Sequence, residues 1–161
     1  QIANWETHMA GIQYQVSIED AEVRAFFESK LSQMENLRPF YVNVGEHMLN
    51  SVQDRFDTQP APDGTAWAAL APATVANRLR RNGNAELTIL RESGRLAGSF
   101  NYDANSRQVT IGTPVVYAAI QHFGGQAGRN RKVTIPPRPV LGMSPQDEVI
   151  ISEMAEDFLR S

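Results

Sequence analysis

The chain has 161 residues, a net charge of −3 and no cysteine. That length suits one domain with a sizeable core, and the missing thiols exclude a disulfide framework, a thiol nucleophile and a cysteine-ligated zinc. No apolar run reaches the roughly 18 residues of a membrane span, and the absence of cysteine fits a reducing compartment.

The opening "QIANWETH" has neither the basic region nor the apolar stretch of a secretory signal. It is expected to be a cloning remnant or an upstream extension, with Met9 a natural start and residues 9–161 a single domain. "IQYQVSI" (12–18) alternates apolar and polar residues, as a half-buried strand does. Ser17 and Asp20 resemble a capping box, and Val23, Phe26, Phe27, Leu31, Met34 and Leu37 continue a helix with one apolar stripe. Pro39 opens a second helix on Tyr41, Val44, Met48, Leu49, Val52 and Phe56, with Gly45 a weak point or a close-packing site.

"DTQPAPDGTAW" (57–67) has the composition of turns, and Pro72 starts a short basic helix that "NGN" (82–84) ends. "ILRESGRLAGSF" (89–100) reads as a helical turn broken at Gly98, where Gly94 and Gly98 serve turns or close packing. "SFNYDANSRQVTIGT" (99–113) reads as a hairpin turning near Asn105-Ser106. "VVYAAIQHF" (115–123) favours a short helix over a strand, and "RKVTIP" a strand stopped by Pro136 and Pro137. Ser144, Pro145 and Asp147 begin a last helix buried through Val149, Ile150, Ile151, Met154, Phe158 and Leu159. The fold class is α+β: three main helices on a small, mainly antiparallel sheet.

Charge is polarised along the chain. Residues 1–70 hold ten acids and four bases, 71–142 ten bases and three acids, and 143–161 five acids and one base. Acidic ends and a basic middle suit nucleic-acid contact, or acidic helices of one subunit meeting basic loops of the next; two solvated faces is the plainer alternative. His8, His47 and His122 lack ligand spacing, no serine lies in a GxSxG elbow, and "HFGGQAGRN" matches no phosphate-binding order. Glu19, Asp20 and Glu22 read as helix N-terminal charges and Glu153, Glu156 and Asp157 as a solvated face. No enzyme, cofactor or metal is expected. A basic cluster at Arg78, Arg80 and Arg81 and a basic loop at Arg129, Arg131 and Lys132 offer backbone-only contact with phosphates, facing DNA or a partner.

Four blocks in order carry a resemblance: "PDGTAWAALAPAT" (62–74), "ILRESGRLAGSF" (89–100), "GTPVVYAAIQHFGG" (112–125) and "IPPRPVLGMSPQD" (135–147). Covering about half the chain, they resemble the phage virion morphogenesis family, which includes tail completion and Mu-like head–tail joining proteins. The chain departs from the family pattern in its Gln121-His122 order and in Val140 after Arg138-Pro139.

The resemblance implies a tail-terminator-like neck protein that completes the head-proximal end of the tail and lets the filled head attach. It implies a closed ring, often six-fold, around the DNA channel at the head–tail junction of the virion, following assembly in the host cytoplasm. Partners would be further copies of the chain, the tail tube protein, head-side connector proteins and passing DNA bound without sequence preference, but no membrane. A capsid-assembly factor absent from the finished particle and a DNA-binding accessory protein are the rival readings.

Trp67, Tyr117, His122, Phe123, Gly124, Gly125, Arg138, Pro139 and Leu141 are the candidate interface residues. Core packing competes for Trp67, and is the stronger reading for Tyr117 and Phe123. Gly124, Gly125 and Gly128 would release a mobile loop that orders on assembly, with Pro136, Pro137 and Pro139 stiffening its return and Arg138 presented as a cation.

Overall fold

A computed structural model describes residues 13–16, 27, 36–82 and 87–160. Element order is β1 (Gln13–Val16), α1 (Arg38–Thr58), α2 (Pro72–Asn82), β2 (Asn101–Ala104), β3 (Val109–Gly112), α3 (Ala118–Phe123), β4 (Gly125–Ala127), β5 (Val133–Ile135) and α4 (Pro145–Arg160). The fold is α+β. A three-stranded antiparallel sheet has order β1-β3-β2, and β4 and β5 form a separate two-stranded one. The helix expected before residue 37 lies outside the described residues except at Phe27, which is buried 5.5 Å from the Phe40 ring.

The central helix α1 starts at Arg38 with Pro39 in its first turn as the sequence predicts, and Asn36 Oδ1 accepts from the Arg38 N–H (3.0 Å). Its buried line is Phe40, Val44, Met48, Val52 and Phe56, every fourth residue, while Tyr41 and Leu49 sit half-buried on the flank. The line also contains Arg55, a charge inside the core. Gly45 is a close-packing site: a Cβ there would lie 2.3 Å from Cδ2 of Tyr102 on β2. The missing side chain lets the strand approach the helix.

The β2–β3 hairpin turns where expected, because Asn105 Oδ1 accepts from the N–H groups of Arg107 (2.8 Å) and Gln108 (3.1 Å). Strand β3 is buried at all four residues, Thr110 included, so the expected polar-out alternation fails there. It is the middle strand, paired on both edges. Gly98 does not break a turn but lies inside a 3-10 turn, Ala97–Ser99; the left-handed positions of the stretch are Leu90 (φ +61) and Gly94 (φ +68).

The last helix has the predicted capping box. Ser144 Oγ accepts from the Asp147 N–H (3.1 Å) and Asp147 Oδ2 from the Ser144 N–H (2.8 Å). Val149 is not in the buried face but 53% exposed; Ile151 and Ala155 are buried against the core.

Candidate assembly interface

Three of the four motif blocks are joined by hydrogen bonds at the segment Arg138–Leu141. The Arg138 N–H donates to Gln121 O (2.8 Å) at the end of α3. Its guanidinium donates through Nε to Ala68 O (2.8 Å) and through Nη2 to Ala69 O (3.0 Å). Trp67 Nε1 donates to Pro139 O (2.8 Å), and Arg55 Nη1 to Val140 O (2.8 Å). His122 Nδ1 accepts from the Val140 N–H (3.2 Å). Pro139 has no N–H to satisfy within this run, and arginine supplies a planar fork of donors for the carbonyls opposite. The His122 side chain and the Val140 main chain are thus bonded to each other.

This packing corrects several sequence expectations. Arg138 is buried, not presented, and burial followed by the nearby Arg78 charge pulls its pKa below the ordinary arginine value. Arg78 is buried too, donating through Nη1 to Thr88 O (2.9 Å), so the basic cluster on α2 reduces to Arg80 and Arg81 at the surface. Trp67 and Leu141 belong to the subunit's own core, and Pro139 is half-buried. The Trp67 ring stands edge-on to Phe56 at 5.8 Å. His122 is half-buried, and that burial pulls its pKa below the usual histidine range, keeping Nδ1 an acceptor.

Tyr117 and Phe123 reverse the expectation in the other direction. The sequence favours core for both, yet Tyr117 is 42% and Phe123 71% exposed, with Val116 at 74% beside them. A six-residue helix buries only one narrow side, here through Ala118. Its large residues fall outside that side.

The glycine-broken stretch is not an open loop. Gly125–Ala127 pairs antiparallel with Val133–Ile135 in register Gly125↔Ile135, and Gly128 (φ +75) leads into a 3-10 turn at Arg129–Arg131. Arg129, Arg131 and Lys132 lie exposed at this hairpin's tip. Gly124 is required where it stands: its φ is +73, and a Cβ would sit 2.8 Å from Pro137 N and 2.9 Å from Ile135 O. Gly124→Ala is expected to cost about 1–3 kcal/mol, from an unfavourable backbone region and contacts with main chain that cannot swing aside. Chemical denaturation compared with Gly98→Ala, which meets open space at a φ outside the left-handed region, checks this; equal midpoints would refute it.

Between α2, the turns at 89–96 and β5 runs a groove of about 420 Å³, lined by apolar Leu70, Leu90 and Ile135, by Tyr117, and by Arg78, Glu92 and Arg138. Among the described residues no group of three or more His, Asp and Glu could hold a metal, and no helix is long and apolar enough to cross a membrane.

Sequence reasoning missed one polar centre. Asp147 is buried and accepts from Arg55 Nη2 (2.8 Å), Ser51 Oγ (3.2 Å) and Ser144 Oγ (2.7 Å), with His47 Nε2 2.9 Å from Oδ1. Burial pushes its carboxyl up, but the Ser144 and Ser51 hydrogen bonds and the Arg55 charge outweigh this and hold it below the usual aspartate value. The available signal was Arg55 in a buried stripe, since a buried charge needs a partner.

The profile of the phage virion morphogenesis family matches residues 18–160. The chain belongs to this family. It is 34% identical over 122 residues to Mu-like prophage FluMu G protein 2 of Haemophilus influenzae, an alignment covering 76% of this chain and 78% of that protein. It is 33% identical over 103 residues to the putative capsid assembly protein G of Escherichia phage Mu, covering 63% and 65%. No solved structure matches. The family is one of phage morphogenesis proteins, not of enzymes, and the chain is a virion morphogenesis protein. The four motif blocks all lie within the matched span.

Proposed function

We propose that this protein completes the head-proximal end of the tail and enables head–tail joining, assembling as a closed ring at the junction. The observation that carries the reading is the exposed set Val116, Tyr117 and Phe123, together with the exposed basic hairpin tip of Arg129, Arg131 and Lys132. Large apolar residues left outside the core mark a surface made to be covered. The acidic α4 supplies an unlike patch, and rings are built from unlike patches. The tail tube protein, head-side connector proteins and passing DNA are the proposed partners, and the head–tail junction of the virion is the proposed location.

The name of the phage Mu relative favours a second reading, a capsid-assembly factor absent from the finished particle. A DNA-binding accessory role has less to stand on, because Arg78 and Arg138 are buried and the basic cluster on α2 is reduced to Arg80 and Arg81.

Deleting the gene in the parent phage or prophage and imaging the lysate by electron microscopy tests the proposal. Filled heads beside unattached tails are the expected result, and overlong tails would specify a terminator that sets length. Empty or missing heads, with the protein absent from purified virions by mass spectrometry, would favour the capsid-assembly reading. Intact, infectious particles would overturn both.

A further inference from the structure

Two surfaces are left over from the subunit's own packing, and they are unlike. One is the groove beside β5. Its charged lining groups are Arg78 and Arg138 against Glu92, leaving one excess positive charge. Arg138 gives its donors to carbonyl groups, and among the described residues no carboxylate pairs with it. The buried Nε of Arg78 has no hydrogen-bond partner, lying 3.5 Å from Glu92 Oε2. Arg80 and Arg81 are exposed on α2 close in the chain to the lining Arg78, with Arg81 paired to the lining Glu92, and Arg129, Arg131 and Lys132 are exposed in the segment that leads into the lining residues Val133 and Thr134. Tyr117 at the mouth is part of the uncovered apolar set.

The other surface is the outward side of α4. Val149, Glu153 and Glu156 are exposed at helical spacing, so a valine is held in solvent within an acidic face. That valine has no place in the subunit's own core.

We propose that the outward face of α4 of one copy lies across the groove of a second copy. Val149 meets the apolar mouth beside Tyr117, and Glu153 and Glu156 face the basic residues next to its lining. Charge complementarity selects this occupant: the groove and the residues next to its lining carry a positive excess, and among the described residues α4 offers an acidic face with exposed Glu148, Glu153, Glu156 and Asp157. None of the groove's lining residues comes from α4, so the contact is heterologous and repeats head to tail. The exposed pairs Arg160–Glu156 and Arg81–Glu92 can be exchanged for contacts between subunits because exposed pairs contribute little. The contact rests on the ring reading above and adds to it the two surfaces that would close the ring.

The absence of cysteine gives a clean test. The full chain carrying Tyr117→Cys and Val149→Cys, both at exposed positions, is oxidised and run on a non-reducing gel. A ladder of covalent multimers from the double variant, with no ladder from either single variant, is the expected result. An oligomer in solution that gives no ladder overturns the contact and leaves the ring reading standing. A ladder that never closes supports the contact and counts against the ring. A chain that stays monomeric by light scattering at every concentration overturns the contact. As a second measurement, Glu153→Arg with Glu156→Arg should dissociate the oligomer at low salt, and adding Arg80→Glu with Arg81→Glu should restore it. Dissociation without restoration overturns the pairing.

Discussion

Asp147→Ala is expected to lower the unfolding free energy by about 3–5 kcal/mol, because it leaves the Arg55 guanidinium buried without its carboxylate. For a chain of this size that is a fall of roughly 6–20 °C in melting temperature. Asp147 also accepts from Ser144 and Ser51, so the capping box of α4 goes with it. Arg55→Met combined with Asp147→Ala should lose less than the sum of the single variants, since no unpaired charge then remains. Additive losses in thermal or urea unfolding would show that the pair is not coupled. The aspartate's folded-state pKa is depressed, so its contribution is present above about pH 4, the ordinary aspartate value, and disappears as pH falls through the folded value. Asp147→Asn should therefore flatten the acid limb of the stability curve. An unchanged acid limb would count against the assigned network.

Trp67→Ala is expected to cost about 3–5 kcal/mol, the range for removing a buried aromatic side chain that leaves a cavity. The ring packs on Phe56 and its Nε1–H holds the Pro139 carbonyl, so one side chain ties the 57–70 loop to the proline run. Trp67→Phe retains much of the apolar contact and strands that carbonyl, which predicts a loss of about 1–3 kcal/mol. Urea unfolding of both variants checks the order. Full stability with lost assembly in Trp67→Ala would instead return Trp67 to the interface, as its composition first suggested.

The elements of this fold were largely legible because each rests on local physics. Pro39 before an apolar stripe, Asn105 closing a four-residue turn, and Ser144-Pro145 with Asp147 are settled within a few residues of chain. Gly45 was legible as a close-packing site, though the ring that fills it, Tyr102, comes from a strand far along the chain. The family was legible as well, from four blocks whose order survives in the matched span.

Which side chains face solvent was not legible. Arg138 and Tyr117 lie 21 positions apart in similar company, yet one is buried against the carbonyls of Ala68 and Ala69 and the other is exposed beside a groove. Residue type predicted the opposite for both. An arginine is surface only when no ring of acceptors is brought to it, and a tyrosine is core only when something covers it. Those partners came from distant segments, so composition could not report them. The sequence by itself determined the four described helices, the cap of α4, the hairpin turn at Asn105, the family and the charge polarity of this protein, all consequences of neighbouring residues. Tertiary structure alone decided that the proline run is an internal staple, that the glycine stretch closes into a hairpin, and that Tyr117 and Phe123 are left uncovered. The staple and the exposure of the aromatic residues depend on hydrogen bonds and burial between segments far apart in the chain, and the hairpin on strand pairing that a three-residue strand is too short to announce.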